Sequence, residues 1–402
     1  MSTEYHHGVR VFEKDEGGAT IRVVSTAIIG LIATAPLADA KAFPLNTPVL
    51  LTNPGGSIGK AGATGTLATA LKAIAQQAQA FTIVVRVAPG ADDAATTSNV
   101  IGTTTAAGQK TGLQALLAAQ GQLGYKPRII GAPGLDTKPV AIEIGIVAEK
   151  LRGFGYVAAR KPDGKPEGMA YATTKEEATL YRSKLGKREL MVIWPNFLAW
   201  NTSTSASEAV PAVAYALGLR AKLDQQVGWH KTLSNVVVNG PQGISADVFF
   251  DLQSPSSDTN YLNSLEVTTI INRSGYRFWG NRTTEAQGGK FFFENYTRTA
   301  QVLADTIAEA HFTFVDKPMH PSLVRDMLAS INAKGRDLVK GGYLIGFEAF
   351  LNPDLNPKEE LAQGRLRISY RYTPVPPLED LGFMQTITDD FLANFAAAVQ
   401  AA

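Results

Sequence analysis

Between residues 111 and about 240 the spacing of apolar residues switches repeatedly between helical and extended, and this alternation constrains the fold more than any other feature of the chain. A helical spacing at Leu113, Leu116 and Leu117 gives way to the extended run Arg128-Ile129-Ile130. A helix over 140–151, a strand over 155–158, a helix from Thr174 and a strand over 190–194 follow. Short apolar strands separated by amphipathic helices predict a largely parallel sheet covered by helices, an α/β layer. Two capping boxes, Thr174-x-x-Glu177 and Ser205-x-x-Glu208, predict helix starts, because the two side chains satisfy amides that a helix leaves without acceptors.

The flanks read differently. Residues 49–52 form a strand, Leu67, Leu71, Ile74 and Ala78 share a helical face, and 81–87 form a second strand, a β-α-β pattern. Residues 91–109 are small and polar and read as a linker or exposed loop. From about 245 the pattern becomes α+β: a strand over 247–252, a polar helix near 256–265, a strand over 267–272, and a turn at Ser274-Gly275 into Tyr276. Two long helices follow, over 297–314 with Leu303, Ile307, Ala310 and Phe314 on one side, and over 322–340 with Val324, Met327, Leu328, Ile331 and Leu338. The second carries a separate basic face of Arg325, Arg336 and Lys340, either a solvated face or a contact for an acidic protein partner. A strand over 365–373 alternates Leu366, Ile368, Tyr370 and Tyr372 against Arg365, Arg367 and Arg371. The fold class is mixed, an α+β part and an α/β part.

Both ends read as arms. Val9 and Val11 alternate with charge, Glu16-Gly17-Gly18 turns, and Ile21 and Val23 lie in a second short extended run. Near the other end Pro374-Val375-Pro376-Pro377 stops regular structure and stiffens an extended link. Beyond it Phe383, Thr386 and Ile387 lie in a candidate strand, and Phe391, Leu392, Phe395 and Val399 form the stripe of a final helix started at Thr388 or Asp389. The chain therefore divides into an N-terminal arm (1–26), early strands with the β-α-β unit and linker (27–110), an α/β unit (111–244), an α+β unit (245–378) and a C-terminal arm (379–402).

Nothing in this pattern concentrates chemistry. The 402 residues are 45% hydrophobic and 18% charged, a globular balance, and a net charge of +2 supplies no general attraction for nucleic acid or an anionic membrane. The absence of cysteine excludes disulfides, thiolate metal sites and cysteine nucleophiles. The N-terminal residues do not read as a secretory signal. The apolar run 27–35, closed by Pro36, is about half the ~20 residues a membrane-spanning helix needs, so no membrane insertion is expected. Gly55-Gly56-Ser57-Ile58-Gly59 matches the nucleophile elbow of an α/β hydrolase, the rival reading for this chain. Asn53-Pro54 and the following Lys60-Ala61-Gly62 argue instead for a glycine-rich loop. The same loop falls one residue short of a phosphate loop, and the five histidines show no metal-ligand spacing. No cofactor and no metal are expected.

One short segment carries identity. Gly275-Tyr276-Arg277-Phe278-Trp279-Gly280-Asn281-Arg282-Thr283 is aromatic and twice charged with no acid–base pair beside it. It resembles the signature of contractile tail sheath proteins of bacteriophages and R-type pyocins. His7-Gly8-Val9, Asn46-x-Pro48-Val49-Leu50-Leu51-Thr52, Thr111-Gly112-Leu113-Gln114-Ala115-Leu116-Leu117, Pro127-Arg128-Ile129-Ile130-x-Ala132-Pro133-Gly134, Pro353-Asp354-Leu355-Asn356 and Leu361-Ala362-Gln363-Gly364 extend the resemblance over nearly the whole chain. It implies a subunit of hexameric rings stacked helically around a tail tube, with baseplate and tail terminator proteins as further partners. It also implies arms that add strands to sheets of neighbouring subunits and a contraction that needs no nucleotide. On that basis the α+β unit faces inward, with Tyr276, Phe278 and Trp279 packing there and Arg325, Arg336 and Lys340 toward the tube, while residues 111–240 face outward.

Overall fold

The computed structural model describes residues 21, 23–161, 169–202, 204–286 and 288–395. In chain order the strands are β1 (Ile29–Thr34), β2 (Val49–Leu51), β3 (Thr82–Val87), β4 (Ile129–Gly131), β5 (Phe154–Ala158), β6 (Leu190–Ile193), β7 (Phe197–Asn201), β8 (Ala206–Val210), β9 (Gly243–Ile244), β10 (Val267–Asn272), β11 (Tyr276–Trp279), β12 (Leu344–Leu351) and β13 (Ile368–Pro374). The helices are α1 (Leu67–Gln77), α2 (Asp93–Ile101), α3 (Ala119–Leu123), α4 (Lys138–Leu151), α5 (Lys175–Arg182), α6 (Ala212–Gln226), α7 (Asp258–Ser264), α8 (Glu294–His311), α9 (Pro321–Lys340) and α10 (Lys358–Ala362).

Eight strands form one sheet in the order β11-β10-β6-β5-β4-β1-β3-β2. From β10 to β3 every pairing is parallel, and an antiparallel strand closes each edge. The apolar run 27–35, too short for a membrane, supplies the buried central strand β1, in register with both β3 and β4 (Ile29 beside Thr82 and Ile129). Strands buried on both faces read as continuous apolar runs, and helices cover both sides. One core holds Leu71 and Ile74 of α1 with Leu217 and Leu219 of α6, and the other holds Ile144 and Val147 of α4 with Leu262 of α7.

Several expectations need correction. The early β-α-β pattern is real, but β2 runs antiparallel to β3, and β3's parallel neighbour across α1 is β1. Residues 91–109 contain α2, capped by Asp92, whose carboxylate accepts the Ala95 amide. Small residues are needed there because Thr96, Thr97 and Val100 are buried. The box at Thr174 does start a helix, whereas that at Ser205 does not: Glu208 lies in the β7–β8 hairpin and accepts from Asn201 and Thr204. Residues 247–252 are not a strand, and Phe249 and Leu252 are 56% and 59% exposed. The boundaries at 110/111 and 244/245 cut through one hydrogen-bonded sheet, since β1 pairs with β4 and β6 with β10. Beyond that sheet, α9 packs on the two-stranded antiparallel sheet β12–β13, and β12 was not anticipated.

Candidate assembly surface

The aromatic segment 275–283 forms the outer strand of the large sheet and the chain's path from it toward α8. Ser274 (φ 51°) and Gly275 (φ 105°) make the β10–β11 turn in left-handed backbone, a region glycine enters at little cost. Phe278 is fully buried, edge-on to Phe197 at 5.5 Å, and Trp279 meets Phe250 at 5.5 Å. Tyr276 donates its hydroxyl to the Gln242 carbonyl (3.1 Å), and Arg277 donates to the carbonyls of Arg273 (3.0 Å) and Asn235 (3.1 Å). Residues 235–238 lie along β11, with Asn235 and Val238 amides donating to the Phe278 and Tyr276 carbonyls (2.8 Å each). At Gly280 (φ 140°) a Cβ would fall 2.8 Å from the Thr268 Cα, so the chain passes there without a side chain. Asn281 then accepts the Glu294 amide through its carbonyl (2.9 Å), receiving the start of α8.

A polar stripe stitches α8 to the sheet. Glu294, Arg298, Gln301 and Asp305 recur at helical spacing on one face, all buried. Glu294 accepts from the Tyr156 hydroxyl (2.5 Å), from Arg220 (3.2 Å) and from the Leu233 amide (2.8 Å). Asp224 binds both Arg220 (2.8 Å) and Arg298. Burial works against the Arg220 charge, but Asp224 and Glu294 outweigh it and hold its pKa above the ordinary value. Burial, and then the Glu294 carboxylate, raise the Tyr156 phenol. Lower on the helix Gln301 donates to the Gly153 carbonyl (2.7 Å), and Asp305 pairs with Arg128, Arg152 and Lys126. Burial pushes the Asp305 carboxyl up, yet Arg128 and Lys126 together hold it below the usual range.

Both arm roots meet the loop that carries Trp229 and His230. Ile21 is buried, and Val23 and Val24 pack on a small core of Trp229, Val302, Leu303, Leu338 and Leu344, beside a cavity of about 310 Å³ between residues 23–27 and 224–229. The expected arm-strand residues Val9 and Val11 lie outside the described residues. At the other end Asn295 donates to both the His230 carbonyl (3.0 Å) and the Val375 carbonyl (2.8 Å). Arg282 then grips Glu379 with two hydrogen bonds of 3.0 and 2.6 Å. Past Glu379 the expected strand 383–388 has no ladder partner among the described residues. Phe383 is 86% exposed, Ile387 is 94% exposed, and Thr386 is exposed too.

The sheet β12–β13 has edges that no further strand covers among the described residues. On β12 the Asn332 side chain of α9 takes both the amide and the carbonyl of Ala349 (2.8 Å each), so that stretch is occupied while the outer side of β13 stays open. On α9, Arg325, Arg336 and Lys340 are all exposed and none has an ion-pair partner among the described residues; Ile331, Gly335 and Leu338 face inward. Ser57 sits in a 3₁₀ turn (Gly55–Lys60) with its hydroxyl on the Asn53 carbonyl (3.2 Å), not on a strand-to-helix elbow. Among the described residues no group of three His, Asp or Glu is placed to hold a metal, and no helix is long and apolar enough to cross a membrane. The ionic stripe of α8 escaped sequence reading; its only signal was the spacing of Glu294, Arg298, Gln301 and Asp305.

The fold is that of contractile sheath subunits. It matches the helical sheath of the anti-feeding prophage in the contracted state over 95% of this chain and 99% of that one, with a TM-score of 0.69 at 16% identity. It also matches the PVC sheath complex of an extracellular contractile injection system, contracted, over 98% and 100%, with a TM-score of 0.68 at 13% identity. Sequence similarity carries the assignment further. The chain is 53% identical to the tail sheath protein of Escherichia phage P2 and 48% identical to the major tail sheath protein of Serratia phage KSP20, each over 99% of both chains. Family models match in three stretches: the phage tail sheath protein central domain (108–284), the phage tail sheath C-terminal domain (286–388) and the tail sheath protein Gp18 domain III N-terminal region (26–87). The chain belongs to the contractile tail sheath protein family and is a structural sheath subunit; the hydrolase reading through Ser57 finds no support.

Proposed function

We propose that this subunit polymerises as stacked hexameric rings around a tail tube and contracts as a mesh of rigid bodies joined by arms, driving the tube through a cell envelope without a chemical step. The observation that carries this reading is an exposed apolar segment beyond Glu379 in a chain that also presents an open two-stranded sheet. Unpaired strand edges invite strands from other chains. The N- and C-terminal arms of neighbours complete β12–β13, and the open side of β13 is the freer of its two edges. Assembly takes place in the host cytoplasm, with baseplate and terminator proteins closing the ends. Within residues 245–378, α9 and the sheet β12–β13 face the tube, and the large sheet that 111–240 shares with β1–β3 and β10–β11 lies outside them.

Magnitudes decide which contacts hold the polymer and which let go. Burying an exposed Leu, Ile, Met or Phe stabilises by about 1.5–3 kcal/mol, and Leu381, Phe383, Met384 and Ile387 are all exposed. A solvent-exposed ion pair contributes only about 0.2–1 kcal/mol and weakens with salt. The arms therefore bind the mesh, while Arg325, Arg336 and Lys340 make tube contacts weak enough to abandon during contraction. Deleting residues 1–20 or 379–402 should leave soluble subunits that form no tubes in negative-stain micrographs. Ordered sheaths from either deletion would refute the arm exchange.

A further inference from the structure

We propose that Arg282 is a positioning residue for assembly: its grip on Glu379 sets the point and direction at which the C-terminal arm leaves the body. The proposal rests on the arm-exchange reading and deepens it by naming what aims the arm. Three observations converge. The Arg282 guanidinium is pre-oriented over the rings of Phe292 (5.0 Å) and Phe293 (4.9 Å), so its two-pronged donor edge is presented in one direction. Both carboxylate oxygens of Glu379 are taken, Oε1 by Nε at 3.0 Å and Oε2 by Nη2 at 2.6 Å, which fixes angle as well as position. Among the described residues the pair is also the last tie between the arm and the body. Upstream, the Val375 carbonyl is held by Asn295, whereas residues 380–387 make no hydrogen bond or ion pair among the described residues.

Two anchors four residues apart, joined through Pro376 and Pro377, hold the root of the arm as a stiff bracket. A strand launched from a fixed bracket reaches a neighbouring sheet edge with less orientational freedom to lose than one swinging from Val375, and pre-organisation of this kind appears as affinity. Arg282 and Glu379 are each about a third exposed, so the pair itself adds little to folding. Its worth lies in aim.

The test compares subunit concentrations needed for polymerisation, read by light scattering and negative stain, for wild type, Glu379→Gln, Arg282→Ala and the exchange Arg282→Glu with Glu379→Arg. Glu379→Gln alters only the exposed partner and leaves the core intact. Each single variant should raise the required concentration about three- to tenfold, with thermal unfolding of the subunit unmoved in Glu379→Gln. The exchange restores the pair but puts a carboxylate instead of a guanidinium over the Phe292 and Phe293 rings, so it should recover only part of the loss. Assembly of Glu379→Gln at the wild-type concentration overturns the proposal and assigns Arg282 to packing on Phe292 and Phe293. Deletion of 379–402 is the control for the underlying reading: if that deletion assembles, arm exchange itself fails, whereas a dead deletion beside normal point variants removes only the bracket.

Discussion

Asp305 shows how this chain uses buried charge. Its carboxylate is nearly inaccessible and faces Arg128, Arg152 and Lys126 from the ends of two other elements. Taking such groups from water is expensive, and the arrangement holds only while each charge keeps its partners. Asp305→Asn should therefore cost about 3–5 kcal/mol in denaturant unfolding at neutral pH. The sign of its pH dependence follows from the depressed folded-state pKa. The stabilisation is present above the unfolded value near pH ~3.9 and is lost as pH falls through the lower folded value. Unfolding free energy should fall on acidification below about pH 4, and Asp305→Asn should flatten that slope; an identical slope in the variant counts against the assignment. At the other end of the stripe Glu294 ties Arg220, Tyr156 and the Leu233 amide, so helix, sheet and loop share one carboxylate.

Among the elements, α9 illustrates packing overriding propensity. Gly335 lies mid-helix, where alanine would ordinarily gain about 1 kcal/mol. Here a Cβ would fall 2.1 Å from the Phe347 ring, which is itself stacked on Tyr370 at 5.8 Å. Gly335→Ala should therefore destabilise by about 1–3 kcal/mol in denaturant unfolding, and adding Phe347→Leu should recover part of it. A net gain from the single substitution would show that α9 sits farther from β12. The apolar stripes of α1 and α9 were legible because period alone locates a buried face. The capping pattern at Ser205 misled because a Ser and a Glu three residues apart serve a hairpin as readily as a helix. The run 247–252 misled because Phe249 and Leu252 point outward. α2 was hidden by its composition, its one helix signal being the cap at Asp92.

At the scale of the whole molecule the body is an eight-stranded sheet covered by helices, with the smaller sheets β8-β7-β9 and β12–β13 beside it, and the C-terminal arm departs from that body. The basic face of α9 is where reversible contact with an acidic tube is proposed. Reversing charge at Arg325, Arg336 and Lys340 together should lower the yield of extended sheath on tubes, counted in electron micrographs, without preventing polymerisation by the arms. Unchanged tube decoration would remove these residues from the contact. Higher salt should act in the same direction in the wild-type chain, because such pairs are screened within about 10 Å at 0.1 M.

What the chain determined by itself was local and periodic. The alternation that predicts a parallel layer, the aromatic segment 275–283 that carries the family resemblance, and the Pro374–Pro377 break before the arm all depend on neighbours in sequence. Tertiary structure alone decided the rest. It made the run 27–35 the middle of the sheet, merged segments that composition separates, and paired β12 with β13. It brought Arg282 to Glu379 and Glu294 to Arg220 across long stretches of chain. The physical reason is range: period and capping act over a few residues, whereas strand order and buried ion pairs are set by which surfaces meet once the core has closed.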